Sequence, residues 1–380
     1  AWPATSSPEA DTVTHASPAA AGSAGPPPPS VVVGNAIDGA ALRKRHIEHL
    51  KSDHSPVTVL RGDGPLELGK RICEAVMPWK PKETPILLKP NICGFDGIKD
   101  PVKWKGDDGI VGRITDPEFT RGVIQCLKAR GHAKVTIAEG CGHSNGFWRQ
   151  VAFVSGYEAM AREEGVPLVA MDDDGVFDVE GDRPGKPVRI EGIGATRVPG
   201  LLLPRVLAEH LDHGVFVSLP KVKAHRFSVV SLGIKGMQGT VMRNDGGPAY
   251  KLKFKMHQEL TDYLALRKAN KEAGLTNPAT IAAERKLYVD SLRAFAERMI
   301  DVLELSMPDV VLADGAPGMG GDGFQALWPT AEMFAVGGTN PVAVDKVGSQ
   351  LLGLWDVAKL GPELGGHKGS PLIELAARRY

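Results

Sequence analysis

Short apolar runs alternate with stretches of helical periodicity along most of the chain, and most of the runs end in a polar residue. Residues 57–60 form the first run; a glycine-rich turn at residues 62–65 and an amphipathic pattern over residues 66–76 follow it. So short a run predicts a strand, and the pattern behind it a helix. Residues 85–91 supply a second strand. At Thr115, Asp116, Pro117 and Glu118, a capping residue, a first-turn proline and an acid at the positive end of the dipole predict a helix start. That helix runs through Val123, Ile124 and Leu127 and stops at Gly131. Strands at residues 135–138 and 167–171 flank a helix over about residues 147–164. A short helix over residues 205–211 leads to the run 215–219, which ends where Pro220 removes a donor. Tyr288, Leu292, Phe295, Met299 and Val302 recur at spacings of 4, 3, 4 and 3, the stripe by which a helix packs on a core. Residues 309–314 give a further strand, as does the run that opens at Phe334 and leads into a glycine turn, and Asn340 with Pro341 starts a helix that holds Asp345 in its first turns.

This alternation predicts an α/β fold: a mainly parallel sheet flanked by helices, with a β excursion over about residues 175–204 and a helical insertion over about residues 257–304. Residues 1–30, rich in Ala, Pro, Ser and Gly, offer too little apolar surface to order themselves and predict a flexible tether. Residues 31–56 form a charged, helical lead-in, and residues 57–380 a single α/β domain. A first residue other than Met ahead of such a tether suggests a mature exported protein, periplasmic or extracellular, with a trimmed chain as the alternative. The tether can clasp a protein partner or a second copy.

Lys plus Arg and Asp plus Glu balance at 45 each, so nothing global points to nucleic acid, and an electropositive site has to be local. No run approaches the ~18 apolar residues of a membrane helix. Cys73, Cys93, Cys126 and Cys141 are too few and too scattered for a disulfide framework or an iron–sulfur motif. Cys73 and Cys126 fall on helical patterns and predict small core residues. Cys93 and Cys141 follow strand ends, where they can neighbour each other as a disulfide or, with His143, as a soft-metal site; two unpaired loop thiols are the alternative.

Candidate chemistry concentrates between Val215 and Thr240. Lys221, Lys223 and His225 alternate at period two, so an extended chain points all three the same way. Lys235 follows among Gly233, Gly236 and Gly239, which permit close backbone approach. The set suits an anion, and a solvated basic edge strand is the bland alternative. Lys89 and Asn91 end another strand, and the glycine-rich run 315–323 predicts a loop whose amides, at Gly318 and Gly320, face a ligand. Glu139, Asp314 and Asp345 offer oxygens to a divalent metal, against the plainer reading as caps and lysine partners. His257 reads as a helix-surface histidine. No P-loop or GxSxG elbow appears, and the GxGxxG at Gly318 to Gly323 lacks a strand–helix context.

The blocks at residues 86–91, 115–118, 218–225 with 233–236, 314–315 with the glycine run, and 337–345 together resemble the domain-of-unknown-function 362 family, in its order, over about residues 57–355. The resemblance implies an α/β fold with a shared ligand site and transfers no reaction. Many relatives append a ferredoxin-like iron–sulfur module; this chain has no clustered CxxCxxC motif, so that label does not carry over. The expected function is an exported protein of unassigned activity with an electropositive pocket for a small carboxylate or phosphate, with or without a divalent metal. The alternatives are a non-catalytic binding or assembly subunit, and a redox or metal protein using Cys93 and Cys141.

Overall fold

The structure, a computed structural model, describes residues 32–33, 36–62, 64–92, 112–140, 145–171, 188–194, 196–198, 201–225, 228–240, 242–243, 256–321, 327–353 and 369–380. The tether, Cys93, Cys141, His143 and residues 322–323 lie outside them.

The chain opens with β1 (Val32–Val33), β2 (Ala36–Asp38) and α1 (Gly39–Ser52). Then come β3 (Thr58–Arg61), α2 (Pro65–Val76), β4 (Ile86–Pro90), α3 (Pro117–Ala129) and β5 (Val135–Glu139). Helices α4 (Asn145–Val154) and α5 (Tyr157–Glu163) precede β6 (Leu168–Ala170), β7 (Val188–Glu191), β8 (Leu201–Leu203) and α6 (Arg205–His213). The central segment holds β9 (Val215–Leu219), β10 (Lys221–His225), β11 (Val229–Ser231), the single turn α7 (Gly233–Gly236) with a 3-10 turn over Met237–Thr240, and β12 (Met242–Arg243). Helices α8 (Gln258–Glu272) and α9 (Pro278–Ser306) form the insertion. The last elements are β13 (Val310–Gly321), β14 (Leu327–Pro329), β15 (Phe334–Gly338), α10 (Pro341–Leu351) and α11 (Pro371–Arg379).

Four helices start on one signature, a capping side chain followed by proline: Asp116-Pro117, Asn277-Pro278, Asn340-Pro341 and Ser370-Pro371. In each, the side-chain oxygen accepts from a first-turn N–H, and the proline occupies a position whose N–H would have no helical partner.

The fold is α/β. Strands β10, β13, β9, β4, β5 and β6 form five consecutive parallel pairings. Antiparallel strands complete this ten-stranded sheet: β11 beside β10, β14 and β15 beside β13, and β3 beside β15. Apolar clusters cover both faces. Leu68, Ile72, Phe119, Val123 and Trp148 lie in one cluster, and Leu42, Leu207, Phe295, Met299 and Val302 in another. The excursion is β: β7 and β8 belong to a second, five-stranded sheet with β1, β2 and β12.

Four expectations change. The helix expected over residues 147–164 is two, because Gly156 takes a φ of 80° between them. The glycine run is no ligand loop as far as Gly321: β13 continues through it, and Gly315 and Gly318 leave room for the Phe334 ring, which a Cβ at either would approach to 2.5 and 2.9 Å. The lead-in helix α1 is built into the core, burying Leu42, His46 and Leu50. Cys73 and Cys126 are buried helical residues, as expected, but they are also bonded to each other, with Cα atoms 6.4 Å apart. Sequence position hid this pairing: α2 and α3 touch because Gly69 and Gly122 bring backbone against backbone, with no space for a Cβ at either.

Candidate functional site

The strand run from Val215 to His225 makes two partnerships in succession. Strand β9 pairs with β4 as far as Leu219 opposite Pro90, and with β13 on its other side. Beyond Pro220 the chain stays beside β13, with Lys221 opposite Asp314 and Lys223 opposite Met319, while its other edge takes up β11. Strands β4 and β10 therefore part at Pro220, the kind of sheet opening at strand C-termini that α/β proteins use for ligands. Thr115 fills the start of the gap. Its Oγ1 accepts from Asn91 N–H at 3.0 Å and donates to the Leu219 carbonyl at 2.6 Å.

Period two holds in β10. Val222 and Ala224 enter an apolar cluster, and Lys221, Lys223 and His225 take the other side. All three are buried, with Lys221 at 0% and Lys223 at 2% exposure, so they are no solvated edge. Lys221 Nζ donates to Asp314 Oδ2 at 2.8 Å. Asp314 also accepts from Asp116 N–H and Ala316 N–H, each at 2.8 Å. Burial, and then the Asp314 charge, raise the Asp116 carboxyl above its ordinary range. Lys223 Nζ donates to the Arg113 carbonyl and lies 3.5 Å from Asn91 Oδ1.

A second buried pair stands on β4 and β5, where Lys89 Nζ lies 2.8 Å from Glu139 Oε1. Glu139 also accepts from Gly140 N–H at 2.7 Å and Ile92 N–H at 3.3 Å. The turn at Gly239 lies directly on this pair: a Cβ there would stand 2.5 Å from Glu139 Oε1 and 3.0 Å from Lys89 Nζ. Gly236 has ordinary clearance, 3.6 Å to Ser218 Oγ.

His257 is a correction. It caps α8, but its Nδ1 is enclosed, its ring stacks on Phe295 at 4.6 Å, and its Nε2 is 3.0 Å from Gln238 Nε2. Burial first, and the Lys235 charge second, hold its imidazole well below the ordinary histidine range. The His225 ring lies 6.4 Å away. Lys235, half-buried, thus belongs to a group with His225, Gln238 and His257.

The three carboxylates assigned to a metal are engaged separately. Glu139 holds Lys89, Asp314 holds Lys221, and Asp345 accepts from Gly233 N–H at 2.6 Å and Ile234 N–H at 2.9 Å. Burial pushes the Asp345 carboxyl up to about 7. Among the described residues no group of three or more His, Cys, Asp and Glu side chains is placed to hold a metal ion. Gly318 pairs its backbone with Thr330, and Gly320 lies in the ladder opposite Trp328. No helix among the described residues is long and apolar enough to cross a membrane.

Sequence reasoning missed Arg113, Thr115 and Asp116 as parts of the rim. Their only signal was the capping motif, which accounts for Asp116 but not for the bridge made by Thr115.

The sequence model of a family described as Domain of unknown function (DUF362) matches residues 86–350, more than two thirds of the chain. No curated protein and no solved structure matches it.

Proposed function

The chain belongs to the domain-of-unknown-function 362 family, and from its own geometry we propose that it binds a small carboxylate or phosphate where β4 and β10 part. Lys223 and Lys235 supply charge to the ligand, and the His225 and His257 rings stand beside them. Lys89 and Lys221, each matched by a carboxylate, form the rigid layer beneath. The observation that carries the reading is Lys223: a buried ammonium at the strand opening whose contacts include the neutral oxygens of Asn91 and Arg113. A lysine at that opening can give an anion charge-assisted hydrogen bonds.

Calorimetric titration of the purified protein with inorganic phosphate, acetate and malonate tests this. At least one should bind, and Lys223→Met should weaken it tenfold or more, about 1.4 kcal/mol, with the melting temperature kept. Unchanged affinity in the variant sinks the site. Absence of binding by all three anions favours a non-catalytic assembly subunit instead.

Export belongs to the same proposal. A bond between Cys73 and Cys126 suits an oxidising compartment, because cytosolic reductants keep most thiols free. Fractionation of the producing cell, with the protein followed by antibody, tests it; a wholly cytosolic pool contradicts it.

A further inference from the structure

A cleft of about 530 Å³ opens between α1, α9, α11 and residues 196–197, and none of the rim residues line it. Its walls carry charges of both signs over an apolar floor. On the basic side, Arg379 gives Nε–H to Glu304 at 2.5 Å, and Arg197 sets its Nε 3.1 Å from Glu297 Oε2. Both guanidinium groups line the cleft. The Arg197 side chain is 71% exposed and the Arg379 side chain 44%. On the acidic side, Asp301 Oδ2 accepts from the Arg197 backbone N–H at 2.5 Å. Among the described residues its Oδ1 has the Arg43 guanidinium nearest, 3.6 Å away and beyond hydrogen-bond distance. Arg43 is itself spent on Glu304 and the Ile193 carbonyl. Ile300 and Leu375 supply the apolar surface.

We propose that this cleft binds a small zwitterion with an apolar body, a free amino acid or the end of a short peptide. A carboxylate takes two parallel N–H bonds from an arginine fork, which a lysine could not give. An ammonium completes Asp301 Oδ1, with Glu297 at the rim. The aliphatic body covers Ile300 and Leu375. A plain anion fits worse, because Asp301 and Glu297 repel it; a plain cation meets the arginines. The volume falls within the ordinary range for small-molecule sites.

The test is calorimetry with L-leucine, N-acetyl-L-leucine, L-leucinamide and the dipeptide Leu-Leu on the full chain. L-leucine or the dipeptide binds, and the tighter of the two identifies the source. Capping either charge weakens L-leucine binding at least tenfold. Arg197→Gln, a change at an exposed side chain, weakens it about tenfold without moving the melting temperature, and Asp301→Asn does the same to the ammonium side. No heat from either zwitterion at 10-fold millimolar excess, equal affinity for the capped forms, or unchanged affinity in Arg197→Gln overturns the proposal.

Discussion

Lys221 and Asp314 occupy opposite positions on two parallel strands, and their side chains meet 2.8 Å apart with neither exposed to water. A lysine chosen from the sequence as an anion binder and an aspartate read either as a metal ligand or, more plainly, as a lysine partner are each other's partners. Lys89 and Glu139, on the neighbouring parallel strands β4 and β5, make a second buried ion pair at 2.8 Å. A buried pair of this kind adds little over well-packed apolar residues, but removal of one partner strands a charge and costs about 3–5 kcal/mol.

Loss should therefore be unequal within the first pair. Lys221→Met leaves Asp314 with the two N–H donors of Asp116 and Ala316, whereas Asp314→Leu orphans the ammonium and both N–H groups. Urea unfolding should show Asp314→Leu as the more severe change by roughly 2 kcal/mol, since each orphaned donor costs about 1–3 kcal/mol. Equal losses would show that the N–H bonds contribute nothing.

Asp345 sets a pH dependence. Its carboxyl rises on folding from 3.8 to about 7, so between those values the folded state holds a proton that the unfolded state has released. The group's contribution is full below pH about 4 and is lost as pH rises through about 7, by on the order of 4 kcal/mol. Stability of the wild type relative to Asp345→Asn should fall over that window. A difference that stays flat with pH refutes the assignment.

Gly239 and Gly236 lie three residues apart but differ in clearance. Gly239→Ala pushes a methyl into the Lys89–Glu139 pair and should cost about 1–3 kcal/mol, while Gly236→Ala should cost less than about 1 kcal/mol. Thermal unfolding of both variants decides; the reverse order would mean that the turn is not seated on the pair.

The Cys73–Cys126 bond closes a span of 53 residues between two buried positions. Neither sulfur should take iodoacetamide in the native oxidised protein, and reduction should lower stability by about 2–4 kcal/mol. Labelling without denaturant or reductant would show that the thiols are free.

Legibility followed locality. The run at Val215–Leu219, its end at Pro220 and the period two of Lys221, Lys223 and His225 are properties of neighbouring residues, and all are present. The caps at Asp116 and Asn340 are local too. What failed depended on distant residues. The glycines of β13 looked like a loop because composition cannot show the Phe334 ring they accommodate. His257 looked exposed because Phe295 and Gln238 come from elsewhere in the chain. Lys89 and Glu139 were both chosen, yet their separation by 50 positions hides that one neutralises the other.

Strand β13 touches β9, β10, β14 and β15. It is the middle of the sheet, and a ribosome makes it after β4, β5, β6, β9 and β10 have all emerged. Lys221 waits 93 residues for Asp314, roughly 5–20 s of synthesis. Until then the nascent chain has a flank and no centre, and the lysine lacks its folded-state carboxylate. Vectorial synthesis thus builds the two sides of the site first and closes them with a single late strand.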